Sequence, residues 1–181
     1  MKEKPESIVL NNLVDENINQ LSAGMDLLKI ISNDSYVFAE NSLSPWMSGI
    51  GKHFRHIIDF YDRFVNQVPS VNYDLRKRDL EIETSKDAAL SKLKSLKEQL
   101  AVFKNMDSSL KIVLYQGDIP NSKNSNSVNS SLGRELRYLI EHTVHHYAII
   151  SMFIKHLGYS VPYGFGMAQS TIEFEAKNES C

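Results

Sequence analysis

Histidines gather in two short stretches of this chain. The stretch "GIGKHFRHIIDFYDRF" holds His53 and His56, and "EHTVHHYAII" holds His142, His145 and His146. An imidazole ring is costly to bury without a partner, yet both stretches otherwise carry the apolar residues of a helix that faces a core. Neutral imidazole binds transition-metal ions well, and two rings four residues apart on a helix face one ion from adjacent turns. The pattern therefore indicates a metal site that joins two helices.

Helical projection separates these rings. At about 100° per residue, His142 and His146 point the same way and lie on or beside the buried face of their helix. His145 projects roughly 60° from His142, on the side away from that face. In the other stretch His53 projects near the apolar face and His56 at its edge, so projection alone favours His53 as the inward ring. The set of two histidine pairs, rather than any single ring, predicts the metal site.

Four long helices are expected to position these histidines. Apolar residues at spacings of three and four predict helices over about 7–31, 45–67, 84–106 and 132–157. Pro45 resembles a first helical residue, and Ser131 resembles the N-cap of the last helix. Four such helices in one domain predict an all-α four-helix bundle, a fold that commonly holds its sites between facing helices.

The remaining segments are shorter and less regular. The stretch "SLKIVLYQG", from Ser109, predicts a short extended or β segment before the last helix, and the polar connection after Pro69 could contain a short turn of helix. The Ser/Asn tract over about 121–130 has almost nothing to bury and predicts a mobile loop. The tail "VPYGFGMAQSTIEFEA" predicts an irregular packed segment that could end in a strand. We expect one domain over 1–181, with its core at about 7–174.

Composition excludes several classes of partner. The 181 residues carry a net charge of −2, from 20 Lys plus Arg against 22 Asp plus Glu spread along the chain. No field is therefore available to attract nucleic acid or an anionic membrane. The start "MKEKPESIVL" lacks the apolar core of a secretory signal, and no apolar run approaches the ~20 residues of a membrane span. Cys181, the only cysteine, excludes an internal disulfide and a cysteine-rich site. We expect a cytoplasmic protein in which histidine and carboxylate hold any metal.

Three stretches carry a family resemblance. "GIGKHFRHIID", "SSLGRELRYLIEHTVHHYAII" and "GFGMAQSTIEF" resemble the DinB/YfiT-like superfamily of metal-binding four-helix bundles, over about residues 7–174. The resemblance implies a divalent ion held by His142 and His146 of the last helix and by His56, which follows a glycine by five residues and precedes "IID". It thus favours His56 over His53. The extra histidines His53 and His145 could supply a fourth ligand or support a ligand ring.

The implied ligand set limits the chemistry. Three neutral imidazoles leave a divalent ion with its full charge and an open position, which is typical of a catalytic site. The ion could activate water or stabilise a thiolate, and zinc, nickel, manganese and ferrous iron all suit the site. Asp59 or Glu135 could orient a ligand ring or act as a base. The competing interpretation for both is a surface salt bridge, for Asp59 with Arg55 or Arg63 and for Glu135 with Arg134 or Arg137.

These inferences favour a metal-dependent enzyme of the DinB/YfiT type. The resemblance implies a thiol-dependent S-transferase or a hydrolase that acts on a small molecule, with a low-molecular-weight thiol as a possible cofactor and a homodimer as a possible assembly. The alternative is a non-catalytic metal- or ligand-binding bundle with a stress-related or scaffold role. A third interpretation, that the histidines are only structural, predicts no stoichiometric metal.

Overall fold

A computed structural model describes residues 5–37, 49–117 and 126–178 of the chain. Helices dominate this part, which confirms the predicted all-α fold class with a short β segment before the last helix. The helices are α1 (Pro5–Ile30), α2 (Asn33–Val37), α3 (Ile50–Gln67), α4 (Leu80–Thr84), α5 (Lys86–Leu100), α6 (Leu132–His156) and α7 (Gln169–Asn178). The strands are β1 (Ser70–Val71), β2 (Lys111–Tyr115) and β3 (Ser127–Ser131).

The four long helices form the predicted bundle. α1 and α3 each pack against both α5 and α6, so that every long helix has two neighbours in the bundle. The apolar stripe of each helix turns inward and supplies fully buried side chains, including Leu21 of α1, Phe54 of α3, Leu93 of α5 and Ile150 of α6. Burial of these stripes, at about 25 cal/mol per Å² of apolar surface, favours the arrangement. It also places α3 and α6, the two histidine-bearing helices, side by side.

The ends of α6 follow from its sequence. The side chain of Ser131 accepts a hydrogen bond from the backbone N–H of Arg134 at 3.3 Å, which confirms the predicted N-cap. Gly158, just beyond the helix, has a φ of +81°, in the left-handed region that favours glycine. α3 begins at Ile50 with Gly49 as its N-cap, so the unbroken helix predicted over 45–67 is wrong at residue 49, whereas Pro45 itself lies outside the described residues.

A three-stranded sheet corrects one prediction. β2 pairs in parallel with β1 and antiparallel with β3, with Val113 opposite Asn129. Residues 127–130 therefore belong to a strand, and the mobile loop predicted there is wrong; the first part of that loop, 121–125, lies outside the described residues. Backbone hydrogen bonds can hold an edge strand to its neighbour, so the polar "SVNSS" forms a strand without apolar side chains to bury.

Two helical segments also differ from expectation. α5 ends at Leu100 and a 3₁₀ turn, Ala101–Phe103, follows it, so this helix is shorter than the predicted 84–106. The tail is irregular over 157–168, as predicted, but then forms α7 rather than a strand. Bonds four residues apart start this helix: the backbone N–H of Ile172 donates to the carbonyl of Ala168 at 3.2 Å. Among the residues described, no helix combines the length and the apolar character needed to cross a membrane.

Candidate metal centre

Three histidines from two helices meet between α3 and α6. Nε2 of His142 lies 3.2 Å from Nε2 of His56 and 3.2 Å from Nε2 of His146. One ring nitrogen from each residue lies within 4.8 Å of the other two. Imidazole nitrogens bound to one ion at about 2.0–2.1 Å, at tetrahedral angles, lie about 3.3 Å apart. These residues, called the triad below, therefore have the donor type and spacing that a divalent ion requires.

The triad rings are neutral at pH 7. Burial is the main cause that lowers their pKa, to about 3 for His56 and His146 and to about 4 for His142. Repulsion between neighbouring histidines lowers each pKa further. A metal ligand must be a neutral imidazole with a free lone pair, so the environment holds each ring in the state that binds an ion.

His53 contacts one ring of the triad, that of His146. Its Nδ1 lies 2.9 Å from Nδ1 of His146, and its side chain is only 8% exposed. Nε2 of His146 faces Nε2 of His142, and a metal ion bound through that nitrogen would leave the proton of the ring on Nδ1, where it would be donated to Nδ1 of His53. Projection was therefore right that His53 is buried. The ring that α3 contributes to the triad is nevertheless His56, as the family resemblance implied.

His145 points away from the triad, toward solvent. Its side chain is exposed, as projection indicated, and its ring meets that of His146 only edge-on at 5.2 Å between centroids. It lines a groove of about 380 Å³ together with residues of α1 such as Glu16. No triad histidine lines this groove.

Asp59 lies in a buried ion-pair network rather than against the triad. It is 5% exposed and accepts a hydrogen bond from Nη1 of Arg55 at 3.2 Å, while Nε of Arg55 donates to Glu83 at 2.8 Å. Burial raises the pKa of Asp59, and the charge of Arg55 opposes that rise. The partner named in the competing interpretation is thus present, although the pair is buried rather than at the surface.

Glu135 is held by hydroxyl groups. It is 1% exposed and accepts hydrogen bonds from the hydroxyl of Tyr73 at 3.0 Å and from that of Ser130 at 2.6 Å. Nη1 of Arg134 lies farther away, 3.9 Å from Oε1 of Glu135. Within the described residues, no hydrogen bond joins Glu135 or Asp59 to a triad ring. A catalytic role for either carboxylate stays a prediction.

Aromatic rings enclose one side of the triad. The ring of Phe60 lies 4.1 Å from that of His142 and 4.9 Å from that of His56, and Tyr138 stacks on His142 at 5.7 Å. Sequence reasoning did not name Phe60 or Tyr138 for the site. The sequence did carry a signal for both residues. Phe60 follows His56 by four residues and Tyr138 precedes His142 by four, so each lies on the same helix face as the neighbouring triad histidine.

Comparison with known proteins agrees with this geometry. A sequence profile described as the DinB family matches residues 4–173, nearly the whole chain. The chain belongs to the DinB family. This DinB-family chain is also 36% identical, over 108 residues, to a protein named FK506-binding protein 5 from the fungus Rhizopus delemar. The match covers 59% of this chain but only 28% of the length of that relative.

Proposed function

We propose that this DinB-family chain is a metal-dependent enzyme, either a thiol-dependent S-transferase or a hydrolase, that acts on a small molecule. The observation that carries the proposal is the spacing of the three Nε2 atoms of His56, His142 and His146. A bound divalent ion would supply Lewis-acid chemistry, stabilising a thiolate or hydroxide nucleophile at neutral pH. Three protein ligands leave room in the coordination sphere for such a nucleophile.

The protein's own residues would prepare this site in three ways. The neutral triad rings add no charge, so that the ion keeps its full electrophilic strength. His53 fixes the orientation of His146 through the contact between their Nδ1 atoms. Phe60 and Tyr138 exclude water from one side of the rings, which strengthens electrostatic interactions there.

Metal analysis tests the ligand set. Protein purified without chelators should contain about one equivalent of a divalent metal, and single alanine substitutions at His56, His142 and His146 should each remove it. His145→Ala is the matched control, because it removes an exposed imidazole next to His146 and should keep the metal. Full metal content in His146→Ala, or a metal-free wild type that also takes up no added divalent ion, would contradict the proposal. A panel of thiols with electrophiles, and of esters and amides, then separates transfer from hydrolysis.

A non-catalytic metal- or ligand-binding role is the second candidate. One observation favours it: the groove of about 380 Å³ between α1 and α6 is lined by His145 and not by the triad. In that case the metal-loaded protein would show no turnover in either panel but would keep its metal. The cytoplasmic location and the homodimer expected from the sequence are parts of the proposal, and size measurement in solution tests the latter.

A further inference from the structure

Two arginines close to the triad differ in how their charge is balanced. The guanidinium of Arg55 donates to both Asp59 and Glu83. Arg76 forms no ion pair with any carboxylate in the described part of the chain, and its Nε is buried without a hydrogen-bond acceptor there. Asp59 and Asp74 act on Arg76 only from longer range, where they partly offset the effect of burial on its pKa. Among the residues that the structure describes, this cation is therefore paired with no carboxylate.

Aromatic contacts place this cation near the metal site. Cζ of Arg76 lies 4.9 Å above the ring of Phe60, and Phe60 in turn contacts both His142 and His56. One ring thus separates the guanidinium from two triad members. The charge of Arg76 is also among the causes that lower the pKa of His56 and His142, which agrees with this closeness.

The charge balance of the site favours a negative ligand. The triad brings no negative charge to a divalent ion, and within the described residues Asp59, the buried carboxylate that follows His56 on α3, is paired with Arg55. An ion at the triad and the guanidinium of Arg76, both of which lie near the ring of Phe60, would each attract an anion. A planar guanidinium also binds carboxylate through two parallel hydrogen bonds, which a point charge such as lysine does not.

We infer that Arg76 binds a carboxylate of the small molecule that the triad site takes, and so selects anionic over neutral ligands. The inference rests on the proposed function, since it assumes a ligand at the metal. Binding would supply the acceptor that Nε of Arg76 lacks within the described residues, and an unsatisfied buried donor is costly. Arg76 would be a specificity-determining residue rather than one that holds the metal.

A matched pair of thiols tests this selection. In the cobalt(II)-loaded protein, sulfur coordination is read from its thiolate-to-cobalt absorption band, with 3-mercaptopropionate and 3-mercaptopropan-1-ol as probes that differ in the carboxylate. We expect the wild type to bind the carboxylate probe about tenfold more tightly. Arg76→Gln should lose most of this preference and Arg76→Lys should keep part of it. Lys77→Gln, which removes an exposed positive charge from the next residue, should keep all of it.

Each alternative result has a separate meaning. Equal affinity for the two probes in the wild type, or no binding of either, would overturn the inference while cobalt loading still supports the metal site. A preference that survives in Arg76→Gln would also overturn it, because the carboxylate would then contact the metal or another residue. A wild type that takes up no cobalt would instead refute the proposed function itself. Cobalt content and thermal unfolding of Arg76→Gln show whether the variant is folded, and Arg76→Lys is the second variant if it is not.

Discussion

Replacing His53 with leucine removes the acceptor that faces Nδ1 of His146 at 2.9 Å. Leucine places an apolar side chain of similar size at a position that is 8% exposed and lies beside Phe153, so the packing of the helices should survive. The N–H of His146 would then be buried without a partner, and its ring would be free to rotate away from the triad. We expect a loss of metal affinity rather than a loss of fold.

The size of this loss follows from the kind of contact. Removing a hydrogen-bond partner of a metal-ligating histidine typically lowers metal affinity about 10–100-fold. This corresponds to roughly 1.4–2.7 kcal/mol of binding free energy. His53→Asn is the conservative variant, because its side-chain oxygen takes nearly the position of Nδ1 and should restore most of the affinity. His145→Leu is the matched control on the exposed side of α6, and it should change affinity less than about twofold.

Competition with a chromophoric zinc chelator measures these affinities. The reasoning is refuted if His53→Leu binds zinc as tightly as wild type, or if His145→Leu weakens binding by the same factor. A His53→Leu protein with no zinc at all, beside a His56→Ala protein that keeps it, would show that His53 rather than His56 is the ligand from α3.

Three further outcomes are expected. In the metal-free protein, the free energy of unfolding should fall as pH falls from about 6.5 to 4. The pKa of each triad ring is lowered by folding, so the unfolded state binds more protons than the folded state in that range. Denaturant titration at each pH measures the free energy of unfolding, and a flat profile would contradict this prediction. Glu135→Ala leaves the partly buried hydroxyl groups of Tyr73 and Ser130 without their acceptor and should cost about 1 kcal/mol of stability while metal content stays unchanged; loss of metal would point to a direct role. Gly51→Ala should lower the melting temperature clearly, because its Cβ would lie 2.1 Å from the carbonyl oxygen of Glu83, whereas Gly133→Ala, whose Cβ meets nothing closer than 3.4 Å, should leave it nearly unchanged.

The sequence predicted best those features that depend on one helix. The i, i+4 spacing of His142 and His146 is a property of α6 alone, and the four apolar stripes fixed which faces meet in the core. Projection favoured His53, which is buried, but it could not identify the ring of α3 that joins the triad, because it averages the apolar direction over the whole helix. The triad lies toward the edge of that stripe, where α3 meets α6, and the family resemblance rather than periodicity identified His56.

The features that sequence reasoning missed depend on contacts between distant segments. Arg76 lies in a connection without helical period, so nothing in its neighbours indicates that it reaches Phe60. The strand at residues 127–131 depends on backbone pairing with β2, which side-chain composition does not report. The partners of Glu135 come from β3 and from the connection after β1, and only the folded chain brings them together.

The triad joins positions that are far apart along the chain. His56 and His142 are separated by 86 residues, and their Nε2 atoms lie 3.2 Å apart. An ion held by both would act as a removable cross-link that closes a long loop, and closing such a loop restricts the unfolded chain. Any affinity for the folded state also adds to its stability, by about 2.7 kcal/mol when free metal is a hundred times the dissociation constant. The concentration of free metal would then set the stability of the contact between α3 and α6, and a chelator would weaken the bundle first at that contact.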